Sequence, residues 1–163
     1  MINDRGQVVG AWRDAGEVRH GFVWDRGSFW TFDHPNANST LGQGTYPGGL
    51  KSRGDIVWRY WNVFGISHGF FRTKNGTYIN IDHPDGPGTT WPITINGRGQ
   101  IVGNFVDSGG GLHGFLYENG SYTTIDVPGA DATDVESIND RGDIAGEYFN
   151  GSGGHGFVGV RTN

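Results

Sequence analysis

The chain has 163 residues, no cysteine, one methionine and a formal net charge of −5. That excludes disulfide and thiolate chemistry, gives no electrostatic grip on nucleic acid, and leaves no apolar run long enough for a membrane-spanning helix. The amino terminus carries neither the basic nor the apolar region of a signal peptide, so the expectation is a cytoplasmic chain or a piece of something longer.

Glycine is unusually frequent, 31 residues without a collagen period, and aromatics make up 13% of the chain. This mixture predicts many tight turns joining short aromatic strands. From Ile2 onward a single module recurs. INDRGQVVG (2–10), LKSRGDIVW (50–58), INGRGQIVG (95–103) and INDRGDIAG (138–146) align without gaps, with spacings of 48, 45 and 43 residues. Each is followed by the triplet His-Gly-Phe, at residues 20–22, 68–70, 113–115 and 155–157. FVWDRGSFWTFDHP (22–35), FFRTKNGTYINIDHP (70–84) and FLYENGSYTTIDVP (115–128) come next, and the fourth copy ends at GFVGVRTN.

Each full copy predicts four short antiparallel strands. In the third copy these are 89–96, 99–107, the segment around 112–118, and 121–127; the opening strand recurs as 45–51 and 133–139. Asn-Asp-Arg-Gly and Asn-Gly-Arg-Gly suit a type I turn closed by a left-handed Gly, and Asn75-Gly76 and Asn119-Gly120 suit primed two-residue hairpins. No sustained 3.6-residue apolar period occurs, so no substantial helix is expected. A four-stranded unit of about 45 residues that cannot bury both faces alone is the unit of a β-propeller-like array. The predicted fold is therefore all-β, one repeat domain over 1–163 with copies near 1–44, 45–88, 89–132 and 133–163. A compact four-bladed ring, an open part of a larger ring and a ring completed by a second chain all fit that count.

The four triplet histidines invite a metal or proton-transfer reading. Equivalent positions in successive blades are rotated apart, which favours imidazoles that tie one blade's strands or turns to the next. Two further histidines stand in Asp33-His34-Pro35 and Asp82-His83-Pro84, whereas the third copy has Asp126-Val127-Pro128. The Asp and Pro belong to the module, which points to a turn with the carboxylate capping backbone N–H groups. Asp140 and Asp143 resemble calcium ligands, but Gly97 and Gln100 replace them in the third copy. Asn38, Asn75, Asn119 and Asn150 formally match glycosylation acceptors, three of them within Asn-Gly turns. No nucleophile, acid/base pair, metal set or cofactor motif survives comparison of the copies, so the reading is of a chain that is not an enzyme.

The succession I-N-D-x-G-Q-[IV]-V-G, a His-x-Phe triplet, an Asn-Gly hairpin and T-T-I-D-x-P-G-A resembles the bacterial HAF repeat family, named for its His-Ala-Phe triplet. The resemblance covers essentially the whole chain, although Gly stands in the middle of every triplet here. It implies repeats and an extracellular or cell-surface setting, and no assigned activity.

Binding is best sought where one copy departs from the others. Trp58 replaces the Gly of positions 10, 103 and 146; Trp61 replaces Arg13 or Val106; and Phe64 stands in a turn. With Arg59 and Trp91 these residues suit a sugar ring or a protein partner, by stacking and by planar donors. The candidate ligand-binding set is Trp58, Arg59, Trp61 and Trp91, in a non-catalytic, lectin-like binding scaffold. The alternative is an assembly module that forms homo-oligomers through exposed terminal strands.

Overall fold

The computed structural model describes residues 1–40, 42–51 and 53–161. Position 41, position 52 of the second repeat motif and the last two residues of the fourth copy lie outside them. Fourteen strands form four antiparallel sheets among the described residues. The first blade holds β1 (Val8–Arg13), β2 (Arg19–Asp25) and β3 (Ser28–Phe32). The second holds β4 (Thr45–Leu50), β5 (Ile56–Trp61), β6 (Ser67–Arg72) and β7 (Tyr78–Asn80). The third holds β8 (Thr90–Ile95), β9 (Ile101–Val106), β10 (Leu112–Glu118) and β11 (Ser121–Ile125), and the fourth β12 (Ala132–Ile138), β13 (Ile144–Asn150) and β14 (Gly153–Gly159). The strands expected over 99–107, 112–118 and 121–127 are β9, β10 and β11, each antiparallel to the next. The fold is all-β and β-propeller-like. No helix among the described residues is long and apolar enough to cross a membrane.

Turn chemistry explains the joins. Gly6, Gly54, Gly99 and Gly142, the last residue of each Asn-x-Arg-Gly-type turn, have φ between 77° and 96°. In three copies the motif Asn gathers the turn: the Oδ1 atoms of Asn3, Asn96 and Asn139 each accept backbone N–H groups two and four residues on. The Nδ2 atoms of Asn3 and Asn96 then donate to the carbonyls of Lys51 and Asn139 in the following blade. One side chain thus closes its own turn and ties it to its neighbour. Asn119 and Gly120 both have positive φ, as a primed hairpin requires. Asn75-Gly76 departs from that expectation. Only Gly76 is left-handed, and Thr73 and Thr77 close a wider loop, because this copy has one more residue between its strands.

Strand alternation gives each blade a leading face toward the preceding blade and a trailing face toward the following one. Val9, Val23 and Phe32 on the trailing face of the first blade pack with Ile56, Tyr60 and Phe70 on the leading face of the second. Val57 and Ile81 of the second pack in the same way with Ile101, Phe105 and Phe115 of the third. Between third and fourth, the fully buried Asn104 accepts the Val135 N–H at 2.8 Å and donates to the Val135 carbonyl at 3.1 Å and to the Asp134 carboxylate. Strand packing runs from β1 and β2 onto β4, from β4, β5 and β6 onto β8, and from β8, β9 and β10 onto β12. The blades form a fan with two outward faces, the leading face of the first and the trailing face of the fourth.

Candidate functional site

The triplet histidine is an intrablade tie. His20, His68 and His113 place Nδ1 on Asp33, Asp82 and Asp126 at 2.8, 2.9 and 2.8 Å, bonding β2, β6 or β10 to the Asp-x-Pro segment of the same blade. The sequence suggested a tie from one blade to the next; the fourth strand pairs with the third in its own sheet, so its carboxylate arrives beside that sheet's imidazole. The Nε2 side meets the loop before the triplet strand: Asp14 at 3.5 Å, Asn62 at 3.0 Å, Asp107 at 3.4 Å, and Ser152 at 2.9 Å from His155. Each imidazole also lies against the shared aromatic of the second strand, Trp12, Tyr60, Phe105 or Tyr148, at centroid separations of 4.8 to 5.3 Å. The Asp126 hydrogen bond raises the His113 pKa above 6.5, and Asp33 does the same for His20. Among the described residues no three His, Asp or Glu side chains are grouped as a metal site.

His34 and His83 do a different job. Each is almost fully buried and lies flat on the following blade's aromatic, His34 on Tyr60 and His83 on Phe105, with centroids 3.7 Å apart in both cases. Their Nδ1 atoms accept the N–H of Asn36 and Asp85 at 3.2 Å, and their own N–H groups donate to Thr45 and Thr90 at 2.9 Å. Val127 makes the same backbone bond to Thr133, at 3.0 Å, which explains why the module tolerates either residue. Asp-x-Pro is a turn, as expected, but its carboxylate serves the triplet His first; Asp82 additionally accepts the Gly69 N–H at 3.0 Å.

Two clefts open where these parts meet, at equivalent positions on the second and third blades. The first, about 550 Å³, is lined by Pro35, Asn36, Tyr60, Asn62, Val63, Phe64, His68 and Asn80. The second, about 570 Å³, is lined by Pro84, Asp85, Pro87, Phe105, Asp107, Ser108, His113, Thr124 and Asp126. Their chemistry differs. The third-blade cleft carries three carboxylates around His113. Its counterpart substitutes amides, Asn36 for Asp85 and Asn62 for Asp107, and adds Asn80. Burial raises the pKa of the Tyr60 hydroxyl, and the nearby side chains of Asn36 and Asn80 oppose that rise. Phe64 stands on the rim with 82% of its surface exposed. Its loop is held by Asn62, whose Oδ1 accepts the N–H groups of Phe64 and Ile66 at 2.9 and 3.0 Å.

The four residues singled out from sequence do not form one cluster. Trp58 projects from the leading face of β5, where it packs on the core between first and second blades. Arg59 and Trp61 lie on or beside the opposite face. The Arg59 guanidinium is 4.5 Å from the Trp61 ring centroid, Trp61 is 4.6 Å from Tyr46, and Arg19 of the first blade stands 4.3 Å over Tyr46. Burial lowers the Arg59 pKa from its usual range, and the buried Nε atoms of Arg19 and Arg59 meet no acceptor. Trp91 is half-buried on β8 of the third blade, opposite Asn104. Sequence comparison missed Arg19, Tyr46 and the amide trio. The signal was present for one of them: an Asp or Asn stands two residues after the shared aromatic in every copy, at 14, 62, 107 and 150.

No protein-family model matches the chain, and no curated protein does. Among solved structures it is similar to a streptogramin B lyase, at 16% identity with a TM-score of 0.56, over 98% of this chain and 53% of that one. It is also similar to a triple arginine-to-alanine mutant of AofleA from Arthrobotrys oligospora, at 16% identity with a TM-score of 0.55, over 98% of this chain and 52% of that one. The chain spans about half the length of each. At this identity the likeness is one of fold.

Proposed function

We propose that the chain is a non-catalytic binding scaffold whose lectin-like site is the second-blade cleft. The observation that carries this reading is the replacement of carboxylates by amides at Asn36 and Asn62, beside Asn80 and the exposed ring of Phe64. Amides both donate and accept, as hydroxyl groups of an uncharged sugar require, and Asn36 and Asn80 present them while Asn62 is engaged by its own loop and His68; an exposed ring offers a stacking platform for the apolar face of a pyranose. A cleft of about 550 Å³ is within the ordinary size of a small-ligand site. The Arg19, Tyr46, Arg59 and Trp61 stack offers a second polar and aromatic surface on the other side of the same sheet.

Two features favour binding over catalysis. His68 has Nδ1 on Asp82 and Nε2 on Asn62, so both ring nitrogens are already engaged. His113 has both nitrogens beside carboxylates. The extracellular or cell-surface setting implied by the HAF-repeat resemblance accords with a glycan ligand.

Glycan-array binding of the wild-type chain, compared with Phe64→Ala and Trp61→Ala, tests the reading. Binding lost in Phe64→Ala and kept in Trp61→Ala is expected. No wild-type binding to any glycan would sink it, and loss only in Trp61→Ala would move the site to the arginine and aromatic stack. A second reading, assembly through terminal strands, is favoured by β14, which ends its sheet with no strand paired on its outer edge among the described residues.

A further inference from the structure

Two cations share one aromatic ring, and among the described residues no carboxylate meets either. Arg19 opens β2 and Arg59 stands in β5, and their guanidinium carbons lie 4.3 and 5.8 Å from the centroid of Tyr46. The Trp61 ring lies 4.5 Å from the Arg59 guanidinium. The Nε atom of each arginine is buried and meets no acceptor among the described residues. The acids of the loop leading into Arg19 are engaged elsewhere, Asp14 with His20 and Glu17 with Arg13. The repeat shows which acceptor is missing. At the third junction Asn104, the counterpart of Arg59, reaches the Asp134 carboxylate and the Val135 backbone of the following blade. By register, the counterpart of Asp134 at the second junction is Trp91, so an aromatic stands where the next junction has its carboxylate. Arg19 is peculiar to its copy as well, since the others have Ser67, Leu112 and Gly154.

We propose that the Arg19, Tyr46, Arg59 and Trp61 stack binds a dianionic oxyanion, the phosphate or sulfate group of a ligand. A guanidinium stacked on an aromatic face keeps its N–H fork free in its own plane, and that fork matches the paired oxygens of such a group. Two guanidinia over one ring supply the two positive charges that a dianion requires. An anion between them replaces like-charge repulsion with charge-assisted hydrogen bonds. All four side chains are half-buried, so the group would shed part of its water without entering a sealed core. Ring and strand are held in place beforehand: the Tyr46 hydroxyl donates to the Gly42 carbonyl and the Arg19 N–H to the Gln43 carbonyl, both at 2.8 Å. Burial and the Arg19 charge lower the Arg59 pKa, and a bound anion would oppose both. None of the four residues lines the second-blade cleft, so this site and the glycan reading can fail independently.

The test is NMR titration of the full chain with inorganic phosphate, sulfate and acetate in turn, at fixed pH and at ionic strength held constant with chloride. Phosphate or sulfate should give saturable shifts at Arg19, Tyr46, Arg59 and the Trp61 indole, and acetate should bind at least about tenfold more weakly. The tighter of the two dianions identifies the group as a phosphate or a sulfate ester. Arg19→Gln and Arg59→Gln should each weaken that binding by about tenfold or more, whereas Arg26→Gln, at an exposed turn, should leave it unchanged. Should either Gln variant lose its β-sheet circular dichroism, the Lys variant at the same position keeps the charge, removes the fork and should show the same loss. No saturable shift with either dianion at concentrations that would fill a millimolar site overturns the proposal. Acetate binding as tight as that of the dianions, or dianion binding that survives both Arg19→Gln and Arg59→Gln, also overturns it.

Discussion

His34 lies parallel to Tyr60, 11° from coplanar and 3.7 Å between centroids, so a titratable ring of one blade forms the hydrophobic contact with the next. Burial, helped by the His68 charge, lowers its pKa from 6.5 to about 4. In the unfolded chain the same imidazole titrates near 6.5, so below that value the unfolded state binds more protons. The contribution of neutral His34 to stability is complete above 6.5 and is lost as pH falls toward about 4. NMR titration of the His34 ring should give a midpoint near 4, with melting temperature falling over the same interval. A midpoint near 6.5 would mean that the ring is not buried between blades.

In the second and third copies the triplet glycine leaves room for the following blade, whereas Gly21 of the first makes room for Phe32 of its own blade. A Cβ on Gly69 would lie 2.2 Å from the Ile81 carbonyl oxygen and 2.6 Å from Pro92, and one on Gly114 would lie 2.3 Å from Val135. Gly156 has only the Gly146 oxygen, at 4.0 Å. Gly69→Ala and Gly114→Ala should each destabilise by roughly 1–3 kcal/mol in denaturant unfolding. Gly156→Ala should change stability by less than about 0.5 kcal/mol. Equal effects at all three sites would contradict the interblade fit.

Asn104 satisfies a backbone donor and acceptor of the fourth blade from within the third. Asn104→Ala should cost on the order of 2–4 kcal/mol, because it leaves buried polar groups unpaired and opens a small void. It should also raise the Asp134 pKa further, since burial already raises it and the Asn104 hydrogen bond opposes that. Chemical-shift titration of Asp134 in the variant reads this directly.

Asp126→Asn should bring the His113 midpoint down, because the Asp126 hydrogen bond is the main cause of its elevation. A raised histidine pKa stabilises the fold fully below 6.5, and the contribution fades as pH rises through the folded value. The stability gap between wild type and variant should therefore be widest at mildly acidic pH. With Asp126 half exposed, it should stay below about 1 kcal/mol.

The strands were legible because period-two alternation and the Asn-x-Arg-Gly turns agree in every copy. The open fan was not, since the same count of strands suits a ring. The pairing of His68 with Asp82, 14 residues away, was hidden because it depends on which strand returns beside β6. Alternation alone could have separated Trp58 from Arg59 and Trp61, consecutive or near-consecutive residues that stand on opposite faces of β5. The second-blade cleft was harder to see, because Asn36 and Tyr60 come from different blades and meet only after stacking.

The binding site is tested most directly by amide NMR of the full chain, titrated with those glycans that score on the array. Shifts concentrated at Asn36, Asn62, Phe64, His68 and Asn80, and abolished in Phe64→Ala, are the expected result. Shifts centred on Trp91 or the third-blade carboxylates, with the second-blade cleft silent, would contradict the account.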